Sequence, residues 1–171
     1  MDTRGKLEEA SYFLFALRRT EKTLKQFVYN LSAFLSAWRS VLDVMLYDFA
    51  EHYRIGLTRE DRMTDEVFWY VAKAQNNAQA LGFIKWWRQK VNILSKDPLW
   101  NMRRVIVHRG YPEITYRIYI PASISSGGTG FVLGVGEVSA KPSDILDMCE
   151  KAFAQMESIV SEAENEFDVQ L

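Results

Sequence analysis

The sequence predicts a mainly α protein, an up-down helical bundle of about five helices with one β-hairpin before the last helix. Three observations lead there. Apolar residues recur at i, i+3, i+4 and i+7 through most of the chain, the period of helices with one buried face. That period gives way to alternation only at about 113–138. The 171 residues make a single domain, 1–171, able to bury roughly 70% of its unfolded surface with no disulfide or structural metal to close the core.

A first helix is expected from about Lys6 to Arg19. The second starts at Leu24, where Phe27, Val28, Leu31, Phe34, Leu35, Trp38, Leu42, Met45, Leu46 and Phe49 form a stripe about seven turns and close to 40 Å long. Ser32, Ala33, Ser36, Ala37 and Ser40 flank it with side chains small enough for another helix to come close. Arg39 lies in this apolar stretch at the right spacing for a buried pair with Asp43, and Asp48 and His52 share that spacing.

The polar run 54–63 with Gly56 reads as a connection, and Thr64 as the N-cap of a third helix with Asp65 and Glu66 in its first turn. Val67, Val71, Ala74, Ala78, Leu81, Ile84, Trp87, Val91 and Leu94 predict that this helix runs unbroken to Leu94, and Gly82 inside it reads as a close helix contact. Asp97 followed by Pro98 restarts a fourth helix, stopped after about Arg109 by Gly110 and Pro112. Tyr116, Ile118 and Ile120 alternate on one side of a Ser- and Gly-rich tip, and Phe131, Leu133 and Val135 on the other, which gives the hairpin. Pro142 opens the last helix, with Ile145, Cys149, Ala152, Met156, Ile159, Ala163 and Phe167 as its seam.

The net charge of −1 conceals an uneven distribution. Residues 85–117 carry 8 Lys and Arg against 2 Asp and Glu, whereas residues 118–171 carry 2 against 9. Either the acidic tail folds against the basic middle and neutralises it, or the middle stays open to an anionic partner. Lys85-Trp86-Trp87-Arg88-Gln89-Lys90 interleaves cations and indoles as a single-strand nucleic-acid surface does, and equally as a helix with a buried Trp87 and a solvated edge does. The run Glu157, Glu162, Glu164, Glu166 and Asp168 reads as a solvated face.

Two histidines far apart and one cysteine argue against a zinc site. The sequence holds no phosphate-binding glycine loop and no Gly-x-Ser-x-Gly elbow, so no metal or cofactor is expected. No stretch has the apolar length of a membrane span, and a cytoplasmic protein with no membrane partner is expected.

The segment that could carry chemistry is Trp100 to Gly110. At 100° per residue Arg104 lies about 40° from His108 and Asn101 about 20° from it, so these three share a face, while Arg103 lies about 140° away. Leu99, Met102, Val105 and Ile106 form the competing apolar face. An imidazole that titrates near neutrality can move a proton, and guanidinium groups can hold a phosphate. The same residues also suit the C-terminal end of any helix, where cations complement the dipole.

The long apolar-striped helix together with Arg-x4-His, here Arg103 to His108, resembles the HEPN superfamily of helical nucleotide-binding domains. The segment Phe27 to Ser40 is also similar to an uncharacterised group of prokaryotic proteins. The HEPN resemblance implies a homodimer that binds RNA or nucleotide and, as in many members, acts as a metal-independent ribonuclease. His108 would be the acid/base and Arg103 the phosphate ligand in a cleft shared by two subunits, with Arg104, Asn101 and Arg109 binding substrate. This chain departs from the family pattern in having Arg104 where active members usually have Asn, Asp or His, and in the added hairpin. The alternative is a non-catalytic helical dimer that acts as a protein-interaction module.

Overall fold

The computed structural model describes residues 2–19, 24–58, 60–102 and 142–171. These residues are mainly helical and contain no strand; the hairpin expected at about 113–138 lies outside them.

Helix α1, Thr3–Arg19, forms because Leu7, Ala10, Leu14 and Leu17 fall on one buried face. Its first turn is capped from another helix. A carboxylate oxygen of Asp48 accepts from the backbone N–H of Thr3 at 2.7 Å and from its hydroxyl at 2.6 Å. Thr3 is fully buried, so without Asp48 both donors would lack a partner away from water. Helix α2, Leu24–His52, has 29 residues and is about 43 Å long. Every apolar residue of its expected stripe from Phe27 to Phe49 is buried.

The expected third helix is two helices, α3 over Asp65–Ala74 and α4 over Ala78–Leu94. Thr64 caps α3 as expected, accepting from Val67 N at 3.2 Å. The break falls at 75–77, where Asn76 turns into the left-handed region at φ 52 and the Asn77 side chain starts α4 by accepting from Ala80 N at 3.0 Å. Gln75 and Asn77 also donate to the carbonyls of Ile55 and Tyr53, both at 3.2 Å, pinning the turn to the end of α2. The break rephases the buried face. Phe68 and Ala72 face inward on α3, and Ala80, Phe83, Ile84, Trp86, Trp87 and Leu94 on α4, while Val67 and Ala74 are exposed.

Gly82 does not mark a helix contact. It is exposed, and a Cβ added there would meet no neighbour within 4 Å. Gly82→Ala is therefore expected to stabilise the protein by about 0.5–1 kcal/mol by restricting the unfolded chain, read as a higher urea midpoint with an unchanged slope.

Pro98 begins a further helix, α5, described over residues 98–102. The last, α6, spans Pro142–Phe167 and buries Ile145, Cys149, Ala152, Met156, Ile159 and Ala163, the expected seam, with Phe167 half-buried against the same core. Contacts between helices set their directions. Thr3 meets Asp48, and Arg4 and Arg18 meet Glu164 and Glu150, so α1 runs antiparallel to both α2 and α6. Trp87 donates to the Leu42 carbonyl at 3.2 Å and Trp86 to Glu162 at 2.9 Å, while Phe83, earlier in α4, meets Phe49 and Phe167, later in α2 and α6, so α4 is antiparallel to both as well. The core between α2, α4 and α6 is aromatic at one end, where Phe49, Phe83 and Phe167 meet.

Candidate functional site

Of the five residues singled out for chemistry, the structure describes Asn101 alone; Arg103, Arg104, His108 and Arg109 lie outside the described residues. The described residues just ahead of them open α5. Asp97 accepts from Leu99 N through its side chain at 2.8 Å and from Trp100 N through its carbonyl at 3.0 Å, with Pro98 at the first helical position. Leu99 is fully buried, Met102 packs against the core and Asn101 is exposed. This is the helical phase the sequence predicted for Leu99, Asn101 and Met102.

Burial holds the Asp97 carboxyl above its usual range, against the opposing hydrogen bond from Leu99. A raised folded-state value means that Asp97 favours the folded protein at low pH and that this contribution is lost as pH rises from about 4, the ordinary carboxylate value, through the folded one. Asparagine caps as well as aspartate does. Asp97→Asn is therefore expected to gain stability over wild type as pH rises from 3 to 7, measured by urea unfolding at each pH. A difference that stays constant with pH would exclude Asp97 as the titrating group.

Trp100 stands edge-on to Trp38, with ring centroids 6.0 Å apart, and the Arg39 guanidinium lies 4.4 Å over its face. Arg39 is thus half-buried against an indole, and Asp43, one turn on, is exposed. Beside them runs a groove of about 430 Å³ bordered by Arg39, Asp43, Asp65, Arg88, Asn92 and Trp100. Asp65 holds Arg88, with Nε to Oδ2 at 2.8 Å and a second bond to the Asp65 carbonyl at 3.3 Å. Two arginines and two aspartates leave the groove with balanced charge. It offers a guanidinium-covered indole and several hydrogen-bonding groups next to the opening of α5. No periodicity in the sequence reveals it, because its walls come from α2, α3, α4 and α5.

The basic stretch 85–90 is not a stacking surface. Trp86 and Trp87 are both buried. The Trp86 indole donates to Glu162 at 2.9 Å, Lys90 donates to the same carboxylate at 2.7 Å, and the Lys90 ammonium lies 5.3 Å from the Trp86 ring centroid. The Lys90 bond, with the one from Trp86, holds the Glu162 carboxyl below its usual range. The acidic run is largely the solvated face expected, with Glu157, Glu166 and Asp168 exposed, while Glu162 and Glu164 pair from it with Lys90 and Arg4. Of the two charge arrangements left open by the sequence, neutralisation holds for Lys90, 72 residues from its partner on the acidic helix.

Cys149 is fully buried, and desolvation raises its thiol well above the range in which a thiolate forms, so it serves as a small core residue. Among the described residues no group of three His, Cys, Asp or Glu side chains is arranged to hold a metal ion, and no helix is long and apolar enough to cross a membrane. No family model, curated protein or solved structure matches this chain.

Proposed function

We propose that the chain is a HEPN-like protein that binds RNA or nucleotide through the face of α5 that begins at Asn101, and that its chemistry is metal-independent RNA cleavage. The observation that supports this is the phase of 98–102: Leu99 is sealed in the core and Asn101 is exposed. The sequence expects this helix to reach about Arg109, and at 100° per residue such a helix would place Arg104 and His108 on the side of Asn101. Arg103 is the proposed phosphate ligand, and Arg104, Asn101 and Arg109 are the proposed substrate contacts. His108 takes the proton of an RNA 2′-hydroxyl as that oxygen attacks the neighbouring phosphorus; the bond to the 5′ oxygen of the next nucleotide breaks, that oxygen takes a proton from water, and a 2′,3′-cyclic phosphate is left. Arg103, about 140° round the helix from His108, serves the His108 of a second subunit in this reading.

The test is cleavage of single-stranded RNA in EDTA. Wild type is expected to cleave, and His108→Ala to lose on the order of 10²–10⁴-fold in rate with an unchanged unfolding midpoint. Equal rates for the two proteins would remove His108 from the chemistry.

A second reading, a non-catalytic helical dimer that binds a protein partner, is favoured by the pairing of Lys90 with Glu162 and of Arg88 with Asp65, which diminishes the basic surface. It expects no RNA binding at low salt and no functional loss from His108→Ala.

A further inference from the structure

We propose that the groove between α2 and α4 binds a guanine base, stacked on Arg39 and read along its edges by Asp43, Arg88 and Asn92. This goes beyond the RNA reading, because no group in the groove takes part in the cleavage step and base binding does not require that step.

Two antiparallel helices build the groove. The Trp87 indole donates to the Leu42 carbonyl at 3.2 Å, so α2 and α4 touch there, and both residues line the groove together with Val91. Arg39 and Asp43, one turn apart on α2, border one side; Arg88 and Asn92, one turn apart on α4, border the other. Because Leu42 meets Trp87 and Phe49 meets Phe83, Asp43 lies near the level of Arg88, and Arg39 near that of Asn92. Trp100 closes the end at Arg39. The volume of about 430 Å³ is that of a small-molecule cleft.

The platform sets the shape of the ligand. A guanidinium is flat and delocalised and stacks on planar rings. That of Arg39 is held 4.4 Å over the Trp100 ring, and Arg39 still borders the groove. Unstacked nucleobases lie on such guanidinium planes, whereas a saturated ligand gains nothing from one. Charge gives the second constraint. Two arginines against two aspartates leave no excess to hold a phosphate, and suit a neutral ring that both donates and accepts hydrogen bonds.

The edges select the base. Arg88 commits Nε and Nη2 to Asp65, at 2.8 and 3.3 Å, while its Nη1 makes no hydrogen bond among the described residues. Asn92 accepts from Ser95 through its backbone carbonyl, and its exposed side-chain amide makes no hydrogen bond among the described residues. Guanine presents two acceptors, O6 and N7, to donors such as these. On its other edge it presents two adjacent N–H donors, which a carboxylate accepts with both oxygens. Asp43 is the exposed carboxylate of the groove. Adenine sets an acceptor beside its amino group and would leave that carboxylate facing a lone pair. Guanine is thus the base that engages Arg88 and Asp43 together.

The experiment is isothermal titration calorimetry of the full chain with guanosine, adenosine, uridine and inosine, the last being guanosine without its exocyclic amino group. Wild type is expected to bind guanosine at least about tenfold tighter than adenosine or uridine, and at least about fivefold tighter than inosine. Asp43→Asn is expected to weaken guanosine about tenfold and to abolish its advantage over inosine, a change of ratio that a general loss of structure does not produce. A hexauridylate carrying one guanosine identifies the source of the base: binding tighter than guanosine and plain hexauridylate marks a strand, and binding no tighter than guanosine marks the free nucleoside. His108→Ala is expected to keep guanosine binding, so the cleavage reading and this one fail separately. Equal binding of guanosine and inosine overturns the proposal, as does a guanosine preference that survives Asp43→Asn. So does the absence of guanosine binding at millimolar concentration together with a guanosine-bearing hexamer that binds no tighter than hexauridylate.

Discussion

Phe49→Ala is expected to destabilise the protein by about 3–5 kcal/mol, among the largest losses of any single substitution in the chain. Phe49 on α2 is wholly buried and stacks on Phe83 of α4, with ring centroids 3.7 Å apart and planes 8° from parallel. Phe167 of α6 stands edge-on to both rings at 5.6 Å. The three rings come from three helices far apart in sequence, so deleting one opens a cavity that no single helix can close by shifting. Urea unfolding with a constant slope is the measurement. A loss below about 1 kcal/mol would mean that this junction collapses easily and does not hold the bundle together.

Trp38→Ala is expected to cost a similar amount, about 3–5 kcal/mol, for a different reason. Trp38 is wholly buried, donates its indole N–H to the Ala152 carbonyl of α6 at 3.0 Å, and stands against Trp100 at the start of α5. Trp38→Phe separates the two contributions. It keeps most of the apolar volume and removes the donor, and is expected to cost about 1–2 kcal/mol. If the two substitutions cost the same, the hydrogen bond to Ala152 rather than volume carries the effect.

Much of the fold was legible because the period of apolar residues reports burial directly. The stripe of α2, the seam of α6 and the caps at Thr64 and Asp97 all stand where local chemistry put them. The division of α3 from α4 was not legible from period, since Ala74 and Ala78 are four apart and carry the pattern across the gap. Its signal was Asn76-Asn77, one residue suited to a left-handed turn and the next to an N-cap. The same difficulty recurs at the other helix ends. The left-handed positions after α2 and α6 hold Arg54 and Asp168, not glycine, and each is followed by a buried residue, Ile55 or Val169, whose N–H reaches back to the helix.

The candidate site was less legible. Helical geometry foretold the phase of Leu99, Asn101 and Met102 because it needs only the local chain. The fate of the cations at 85–90 depended on Asp65 and Glu162, 23 and 72 residues from their partners, and no spacing rule reaches that far. The Arg39–Trp100 contact is likewise tertiary: it joins two residues noted for other reasons, one for a pair along its own helix and one for its apolar bulk.

Binding of a labelled single-stranded RNA, followed by fluorescence anisotropy between about 50 and 200 mM salt, tests the proposed function most directly. The cations Arg103, Arg104 and Arg109 against the RNA backbone's charge predict binding at the lower salt, a loss of affinity on the order of tenfold across the range, and a shallower salt dependence in Arg104→Ala. Absence of binding at the lower salt, or binding that Arg103→Ala and Arg104→Ala leave unchanged, would contradict it.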